Sequence, residues 1–170
     1  MNYLIYDQNG KKQALLQNVT SIQWKPRYWE SGSAEIHARP TDENVRYLVE
    51  HNRIVCQERN EILFIDYVQR SDQNADGDDL IIHGSLDNLG DRINTETLAI
   101  TNVEEGLRKL VTNNQRGLDI TLAPSKGLTA KVTRTETTWQ TLRESFADFC
   151  QESGLGWREI VKDGQMNVLE

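Results

Sequence analysis

Alternating apolar and polar residues near the start of the chain predict two short β-strands joined by a tight turn. The first apolar run, Tyr3–Tyr6, is followed closely by Asn9-Gly10. This dipeptide is typical of a two-residue hairpin turn, because both turn positions need positive φ. A second strand is expected over residues 13–16, which would complete a hairpin.

The next two strands are expected to share one apolar face. Pro26 ends the first of them or places it at a sheet edge, since proline lacks the N–H that a strand ladder needs. A turn rich in Ser and Gly separates it from the second strand. The apolar face should carry Thr20, Ile22 and Trp24, then Ala34, Ile36 and Ala38, and the polar face Ser21 and Gln23, then Glu35, His37 and Arg39.

A short helix is expected after Pro40. Asp42 and Glu43 would stand in its first turn, where the helix dipole favours negative charge. Its apolar stripe is expected to consist of Val45, Leu48 and Val49.

The most apolar stretch of the chain lies in a strand predicted for residues 61–70. Ile62-Leu63-Phe64-Ile65 places apolar side chains on both faces, which is typical of a strand buried on both sides. Shorter strands are expected at Arg53–Cys56 and at residues 80–84. Short strands with frequent turns favour an antiparallel β-barrel or sandwich over a βαβ fold.

After Gly90 the apolar residues change to helical spacing. Asn102 is expected to cap a helix, with Glu105 at the third helical position and a stripe of Val103, Leu107, Leu110 and Val111. Short strands are expected at residues 118–122 and 131–134, on either side of a turn rich in Pro, Ser and Gly.

A second helix, over residues 139–153, has the clearest pattern in the chain. Thr137 and Gln140 are expected to form a capping box at its start, and Gly154 is expected to end it. Residues 155–161 and Gln165–Leu169 then predict a hairpin around Lys162-Asp163-Gly164, with Trp157 in the core. The helix stripe consists of Trp139, Leu142, Phe146, Phe149 and Cys150.

These elements predict a fold that is mainly β with α+β: an antiparallel β-barrel or sandwich, then a smaller α+β domain. The boundary is expected between Asn94 and Thr101, which assigns residues 1–97 to the first domain and residues 98–170 to the second. Glu170 directly follows a predicted strand. We therefore expect the chain to be a fragment of a longer protein, with its second domain incomplete.

The net charge and the number of cysteines exclude several classes of function. The net charge of −7 argues against nucleic-acid binding and against docking on an anionic membrane, since both need a basic face. No apolar run approaches the roughly 20 residues of a transmembrane helix. The first eight residues lack the apolar stretch of a signal peptide. Cys56 and Cys150 are too few for a disulfide framework, which fits synthesis in a reducing compartment.

A calcium loop is the sharpest candidate for a metal site. The segment from Asp72 to Gly77 matches the opening of an EF-hand loop. The twelfth position of such a loop needs a bidentate Glu, but here it is His83, inside a predicted strand. A solvated hairpin loop explains the segment better, and we expect no metal and no cofactor.

Catalytic motifs are absent from the sequence. His37, His51 and His83 lack metal-ligand spacing, which favours surface or interface histidines. The adjacent carboxylates Asp78-Asp79 and Glu104-Glu105 point to different faces of a strand or helix, so neither pair suits acid–base catalysis. We expect no enzymatic activity. A hydrolase whose carboxylates meet only in space is the weakest alternative.

Four residues form a candidate patch for an interface or a ligand: Trp24, Arg27, Tyr28 and Trp29. Together with Lys25 they could bind a sugar or make cation–π contacts. The simpler interpretation is a hairpin whose aromatic residues cover an open end of the barrel. A carbohydrate-binding module that uses Trp24, Tyr28 and Trp29 is therefore the second functional hypothesis.

The stretch IQWKPRYWESGSAEI, from Ile22 to Ile36, resembles the opening hairpin of tail hub or baseplate proteins of long-tailed phages and prophages. Three further features are similar in order and spacing: the short helix after Pro40, the strand over residues 62–69, and the segment DDLIIHGSLDNLGDRI. Residues 103–110 resemble the helix that follows in that family. The resemblance covers about the first 115 residues.

The resemblance implies a structural role at the tail tip of the virion. Such hubs, which include tail-associated lysin-like proteins, close the distal end of the tail tube, usually as trimers that contact distal tail and tape-measure type proteins. This chain would be the N-terminal part, and any lytic activity would lie in a further C-terminal region. The leading hypothesis is thus a non-enzymatic tail component without specific nucleic-acid binding and without a membrane anchor.

Overall fold

A computed structural model describes residues 1–71, 78–132 and 139–170 of the chain. The chain divides into two compact units. The first contains Met1–Pro26 and Gly32–Leu86, and the second contains Arg27–Ser31 and Asp87–Glu170. The division falls after Leu86, and the tip of one hairpin belongs to the second unit. A boundary near residue 97 between independently folding domains stays a prediction.

In its described residues, the first unit holds seven antiparallel strands and one short helix, α1 (Asp42–Tyr47). The strands are β1 (Tyr3–Tyr6), β2 (Lys12–Leu15), β3 (Val19–Lys25), β4 (Ser33–Ala38), β5 (Arg53–Cys56), β6 (Glu61–Ser71) and β7 (Asp79–Ser85). Their order across the sheet is β2-β1-β5-β6-β7-β4-β3.

This sheet is open, with β2 and β3 as its edges. The two strands follow each other in the chain across residues 16–18, yet the described part of the chain shows no hydrogen-bonded pairing between them. The prediction of a closed barrel is therefore wrong, because the ladder that would close it does not form. The mainly β fold class is confirmed, and the open sheet is consistent with the sandwich alternative.

The core of the first unit lies on one face of the sheet. Ile5, Ile54 and Leu63 are direct neighbours across β1, β5 and β6, and all three are fully buried. Ile62, on the opposite face of β6, is also fully buried, which confirms that the start of this strand is covered on both sides. β4 adds the three residues expected from alternation: Ala34, Ile36 and Ala38.

A β-bulge changes the predicted face of β3. The register of β3 against β4 shifts between Val19 and Ser21. As a result Val19 packs against the core, whereas Thr20 is exposed and donates a hydrogen bond from Oγ1 to Asp79 at 3.4 Å. Ile22 and Trp24 keep the expected orientation toward the core.

The apolar stripe predicted for α1 does not form. Thr41 caps the helix by accepting a hydrogen bond from the Asn44 N–H, but the helix ends at Tyr47 after six residues. Leu48 is buried as expected. Val45 and Val49 are 51% and 43% exposed. Within the helix the buried residue is Asn44, and Val49 lies beyond the helix end, so the two valines do not share a buried helix face.

Over the part of it that the structure describes, the second unit combines two helices with a three-stranded sheet. The helices are α2 (Val103–Asn114) and α3 (Leu142–Ser153), and a 3-10 turn covers Leu89–Asp91. The strands are β8 (Thr121–Leu122), β9 (Glu159–Lys162) and β10 (Gln165–Leu169). β10 is central, parallel to β8 and antiparallel to β9, and the predicted turn around Asp163 joins β9 to β10.

Both helices bury the stripes read from the sequence, with one exception. Asn102 caps α2 by accepting a hydrogen bond from the Glu105 N–H at 2.9 Å, as predicted. α2 buries Val103, Leu107, Leu110 and Val111, and α3 buries Leu142, Phe146, Phe149 and Cys150. The exception is Trp139, which stands before α3 and is 77% exposed.

The start of α3 differs from the prediction. The capping box is formed by Thr141 and Glu144, whereas Gln140 precedes the helix and Thr137 lies outside the described residues. Trp139 adopts a left-handed backbone with φ of +71°, so the helix cannot include it.

Two further strands are shorter in the structure than the sequence predicts. The strand expected over residues 118–122 is only the two-residue β8. In the strand expected over residues 131–134, Lys131 makes a single bridge to Asn102, and residues 133 and 134 lie outside the described part of the chain. None of the described helices is long and apolar enough to cross a membrane.

Candidate functional site

The tip of the β3–β4 hairpin carries three of the four residues predicted to form an interface or ligand patch: Arg27, Tyr28 and Trp29. The ladder between β3 and β4 ends at the pair Lys25 and Ser33, so the tip leaves the sheet there. Pro26 follows Lys25, which fits its predicted role as a strand terminator. The tip belongs to the second unit.

Trp157, in the loop that precedes β9, holds the main chain of this tip. Its N–H donates to the Tyr28 carbonyl at 3.2 Å, and its indole Nε1 donates to the Trp29 carbonyl at 3.1 Å. Trp157 itself is buried and meets the Phe146 ring edge to face, with ring centroids 5.4 Å apart. The predicted core position of Trp157 is confirmed, and the same side chain positions the tip.

The Tyr28 ring lies directly against Gly156. A Cβ atom at Gly156 would come within 2.6 Å of Tyr28 Cε2, closer than real Cβ contacts occur. The position therefore needs glycine for space. One part of the Tyr28 ring is covered by main chain, and the residue is still 63% exposed.

The exposed side of the tip combines aromatic, charged and amide groups. Trp29 is 41% exposed, and its ring stands perpendicular to that of Tyr28, at 88° and 5.8 Å between centroids. Arg27 Nε lies 4.0 Å from Glu30 Oε1, a weak surface pair. The shallow groove beside the rings is lined by Arg27, Tyr28, Trp29 and Glu30 from the tip and by Ala147 and Gln151 from α3.

The fourth predicted residue, Trp24, belongs to the first unit. It is partly buried against the core of that unit, with its ring centroid 5.9 Å from that of Tyr3. Its indole Nε1 is buried and has no hydrogen-bond partner among the described residues. Trp24 thus contributes to packing, and a binding role for the patch of Arg27, Tyr28 and Trp29 stays a prediction.

This geometry does not favour the carbohydrate-binding alternative. That hypothesis used the rings of Trp24, Tyr28 and Trp29 together, but Trp24 is packed in a core. The two remaining rings are perpendicular, so they offer no common flat surface on which a sugar ring could stack. An aromatic edge beside a cation and a carboxylate suits a protein interface better.

Two histidines flank one carboxylate on the polar face of the first sheet. Glu35 Oε1 lies 3.0 Å from His37 Nε2, and Glu35 Oε2 lies 3.6 Å from His83 Nδ1. The hydrogen bond from His37 lowers the pKa of Glu35. The sequence pattern predicts that Glu35, His37 and His83 lie on polar faces of strands, but it does not indicate that they contact one another. Elsewhere, His51 is an exposed residue near Glu50.

No metal or calcium site emerges from the part of the chain that the structure describes. Within these ranges, no group of three His, Cys, Asp or Glu side chains is arranged to hold a metal ion. The calcium-like segment of residues 72–77 lies outside the described residues, so its assignment as a solvated loop stays a prediction.

The adjacent carboxylates diverge, as their spacing predicts. Asp78 accepts a hydrogen bond from Arg70 Nη2 at 2.7 Å, whereas Asp79 is buried beside His37. Glu105 pairs with Lys109 on the exposed face of α2. Neither pair of neighbours forms an acid–base couple.

The carboxylate of Glu104, next to Glu105, is hydrogen-bonded to a loop. It accepts hydrogen bonds of 2.7 Å from Ser125 Oγ, the Lys126 N–H and the Leu128 N–H. No local pattern in the sequence indicates this contact, because it joins α2 to a segment more than twenty residues away.

Both cysteines are buried free thiols. Cys56 and Cys150 are buried, and neither forms a disulfide. Burial raises the pKa of Cys150 to about 12, so its thiol stays protonated at neutral pH and cannot act as a thiolate.

Residues 2–97 match the model of a family described as Siphovirus ReqiPepy6 Gp37-like protein. The match covers more than half of the 170 residues. The chain belongs to this family. A comparison of this Gp37-like chain with curated proteins found no match.

Three solved structures share the fold of the Gp37-like chain. Prophage tail protein gp18 from Listeria monocytogenes has a TM-score of 0.64 at 14% identity. A tail protein from Neisseria meningitidis has 0.54 at 10%, and a 43 kDa tail protein of prophage MuSo2 from Shewanella oneidensis has 0.51 at 11%. Each likeness covers 99% of this chain but only 50%, 50% and 54% of the other chains, so the chain spans about half their length.

Proposed function

We propose that this chain is a structural, non-enzymatic component of a phage or prophage tail tip, a hub or baseplate protein that assembles into a ring at the distal end of the tail tube. The observation that carries the proposal is the likeness to three tail proteins over 99% of the chain. Family membership over residues 2–97 supports a siphovirus origin. The protein would be made in the bacterial cytoplasm and reside at the virion tail tip.

The open sheet of the first unit supports assembly. Its edges, β2 and β3, present main-chain N–H and C=O groups that are not used by a further strand of the described chain. Exposed strand edges pair readily with other chains, and a closed ring of copies covers them. A homotrimer is the proposed state of the full-length protein.

The hairpin tip supplies a second surface for assembly. Tyr28 and Trp29 are large, exposed aromatic residues on a main chain fixed by Trp157. Aromatic residues and arginine are enriched at protein interfaces, and a rigid tip loses little entropy on binding. Other tail proteins, of the distal tail and tape-measure types, are the proposed partners.

The net negative charge of the chain is suited to the wall of a channel through which DNA passes. A basic channel would bind phosphates through counterion release, whereas an acidic wall lets a duplex pass without being held. The net charge of −7 supports an inner wall with Asp and Glu in excess of Lys and Arg.

Deletion of the gene in the phage or prophage that encodes it tests this proposal. The expected result is particles with absent or incomplete tails, restored by the wild-type gene in trans. A deletion that leaves tails complete and infectious would contradict a structural role at the tail tip. A carbohydrate-binding accessory protein would leave assembly intact and reduce adsorption only.

A further inference from the structure

An exposed loop in the second unit, residues 124–128, forms one wall of a small apolar cavity. We call this loop the strap. Its residues Pro124, Lys126 and Leu128 line the cavity, which has a volume of about 90 Å³ and lies among α2, α3 and the end of β10. Every residue of the strap is exposed, so burial of apolar surface contributes little to holding it in place.

The other walls of the cavity are largely apolar and include a thiol. Leu107 on α2, Phe146 and Cys150 on α3, and Leu169 on β10 all line it. Cys150 is 1% exposed and forms no disulfide. Movement of the strap away from the cavity would therefore give small molecules in solution access to this thiol.

Both ends of the strap are fixed by hydrogen bonds to other elements of the second unit. Before the strap, the Ala123 N–H donates to the Leu169 carbonyl at 2.9 Å, and the Ala123 carbonyl accepts from Arg108 Nη1 at 2.7 Å. After the strap, the Ala130 carbonyl accepts from the Val103 N–H at 3.0 Å. The strap is thus a short segment between two anchored ends.

The middle of the strap is held by two side chains at the start of α2. In the described structure, the hydrogen bonds that reach residues 125–128 from outside the strap come from these two side chains. The Glu104 carboxylate accepts from Ser125 Oγ and from the N–H groups of Lys126 and Leu128. Asn102 Nδ2 donates to the Leu128 carbonyl at 2.8 Å. Three of the four bonds end on one ionised group, and such bonds are roughly twice as strong as neutral ones.

We propose that Glu104 is a latch: its ionised carboxylate holds the strap over the cavity, and protonation of that carboxylate lets the strap open while the rest of the second unit stays folded. A protonated carboxyl gains an O–H donor and loses acceptor capacity, yet all three of its partners here are donors. One protonation therefore weakens three contacts together. Local opening of a segment with few buried contacts needs less free energy than unfolding of the whole unit.

The charged groups around Glu104 keep the latch closed at neutral pH. Arg108, one turn further along α2, attracts the carboxylate, and Lys126 lies on the strap itself. Glu170, at the end of β10, is the other carboxylate on the cavity wall, and it is paired with Arg158. The strap should therefore open only in acid or when Glu104 is replaced.

Glu104→Gln tests the latch at neutral pH, because the amide keeps the size of the carboxyl group and removes its charge. The measurement is the exchange of main-chain N–H groups with deuterium, followed residue by residue by NMR. We expect the Lys126 and Leu128 N–H groups to exchange at least about tenfold faster than in wild-type protein. The N–H groups of Ala123 and Val103, at the anchored ends, should stay protected.

Labelling of Cys150 by methyl methanethiosulfonate, a small uncharged thiol reagent, tests whether the strap covers the cavity. Mass spectrometry should show labelling at least about tenfold faster in Glu104→Gln than in wild-type protein. Cys56, buried in the first unit, is the internal reference and should react equally slowly in both. Glu105→Gln is the matched control: Glu105 pairs with Lys109 on the exposed face of α2, and its variant should match the wild type in both measurements.

In wild-type protein, the Lys126 and Leu128 N–H resonances should shift as the pH falls, before circular dichroism reports unfolding. The proposal is overturned if the strap N–H groups of Glu104→Gln exchange as in the wild type, or if the anchored ends lose protection together with them. Unchanged labelling of Cys150, or resonances that shift only on global unfolding, would also overturn it. None of these results bears on the proposed tail function, which gene deletion tests.

Discussion

Arg143 and Asp87 tie α3 to the segment that opens the second unit. Arg143 Nε donates to Asp87 Oδ1 at 2.9 Å, and Arg143 Nη2 donates to the Asp87 main-chain carbonyl at 3.1 Å. The carboxylate is 1% exposed and also accepts from the Leu89 N–H. Gly90 lies against the guanidinium, where a Cβ atom would come within 2.7 Å of Arg143 Cζ.

Arg143→Met should destabilise the protein by about 2–3 kcal/mol, because it leaves a buried carboxylate without its charge partner. The measurement is the free energy of unfolding in urea. Arg27→Met is the control: among the described residues Arg27 makes only a weak surface pair, and the substitution should change stability by less than about 0.5 kcal/mol. Equal losses for the two variants would refute the role assigned to Asp87.

Phe146→Ala should cost about 3–5 kcal/mol, because Phe146 is 4% exposed and its loss leaves a cavity beside Trp157. Trp139→Ala, in the residue that the sequence pattern placed in the same stripe, should cost less than about 1 kcal/mol. Both changes in the free energy of unfolding are measured by denaturation in urea. A loss at Trp139 as large as that at Phe146 would show that Trp139 belongs to the buried stripe, as the sequence pattern predicts.

Glu104→Gln should reduce the acid sensitivity of the protein. Burial raises the pKa of Glu104, but hydrogen bonds from Leu128, Ser125 and Lys126 outweigh it and hold the pKa below the ordinary value of 4.5. Because the folded pKa is the lower one, the carboxylate stabilises the fold above about pH 4.5, and this contribution is lost as the pH falls through the folded pKa.

The stability of wild-type protein should therefore fall more steeply below pH 4.5 than that of Glu104→Gln. Thermal melts across pH 3 to 7 measure the difference. Glu105→Gln is the control, since Glu105 is exposed and pairs only with Lys109 in the described structure. Parallel pH profiles for wild type and Glu104→Gln would contradict the assigned contact.

The protein should not hold duplex DNA. In a gel-shift assay at roughly 50 mM salt, where phosphate contacts are strong, we expect no shift at micromolar protein. Tight binding that weakens steeply with added salt would contradict an acidic conduit and favour a nucleic-acid-binding protein.

Local patterns in the sequence predicted most of the elements. β1 was located correctly because an apolar run and a turn dipeptide stand next to each other. α2 was located correctly because its cap, Asn102, and its stripe lie within one short segment. In such cases the physics that forms the element depends on neighbours in the chain, which a single sequence shows.

Features that depend on main-chain geometry or distant partners were missed. Trp139 is apolar, and the sequence pattern therefore predicts that it is buried. Its left-handed backbone instead keeps it out of the helix that follows. The bulge after Val19 turns Thr20 to the polar face. For the candidate site, the sequence identified Tyr28 and Trp29, but not that Trp157 fixes their main chain, because more than a hundred residues separate the partners.

The central claim, that the chain is part of a tail-tip ring, is tested most directly by cryo-electron microscopy of the particle that encodes it. We expect this fold at the distal end of the tail tube, in three copies around the channel, with the first unit's open sheet edges covered by neighbouring chains. Density for the fold at the head or neck, or its absence from complete particles, would contradict the account.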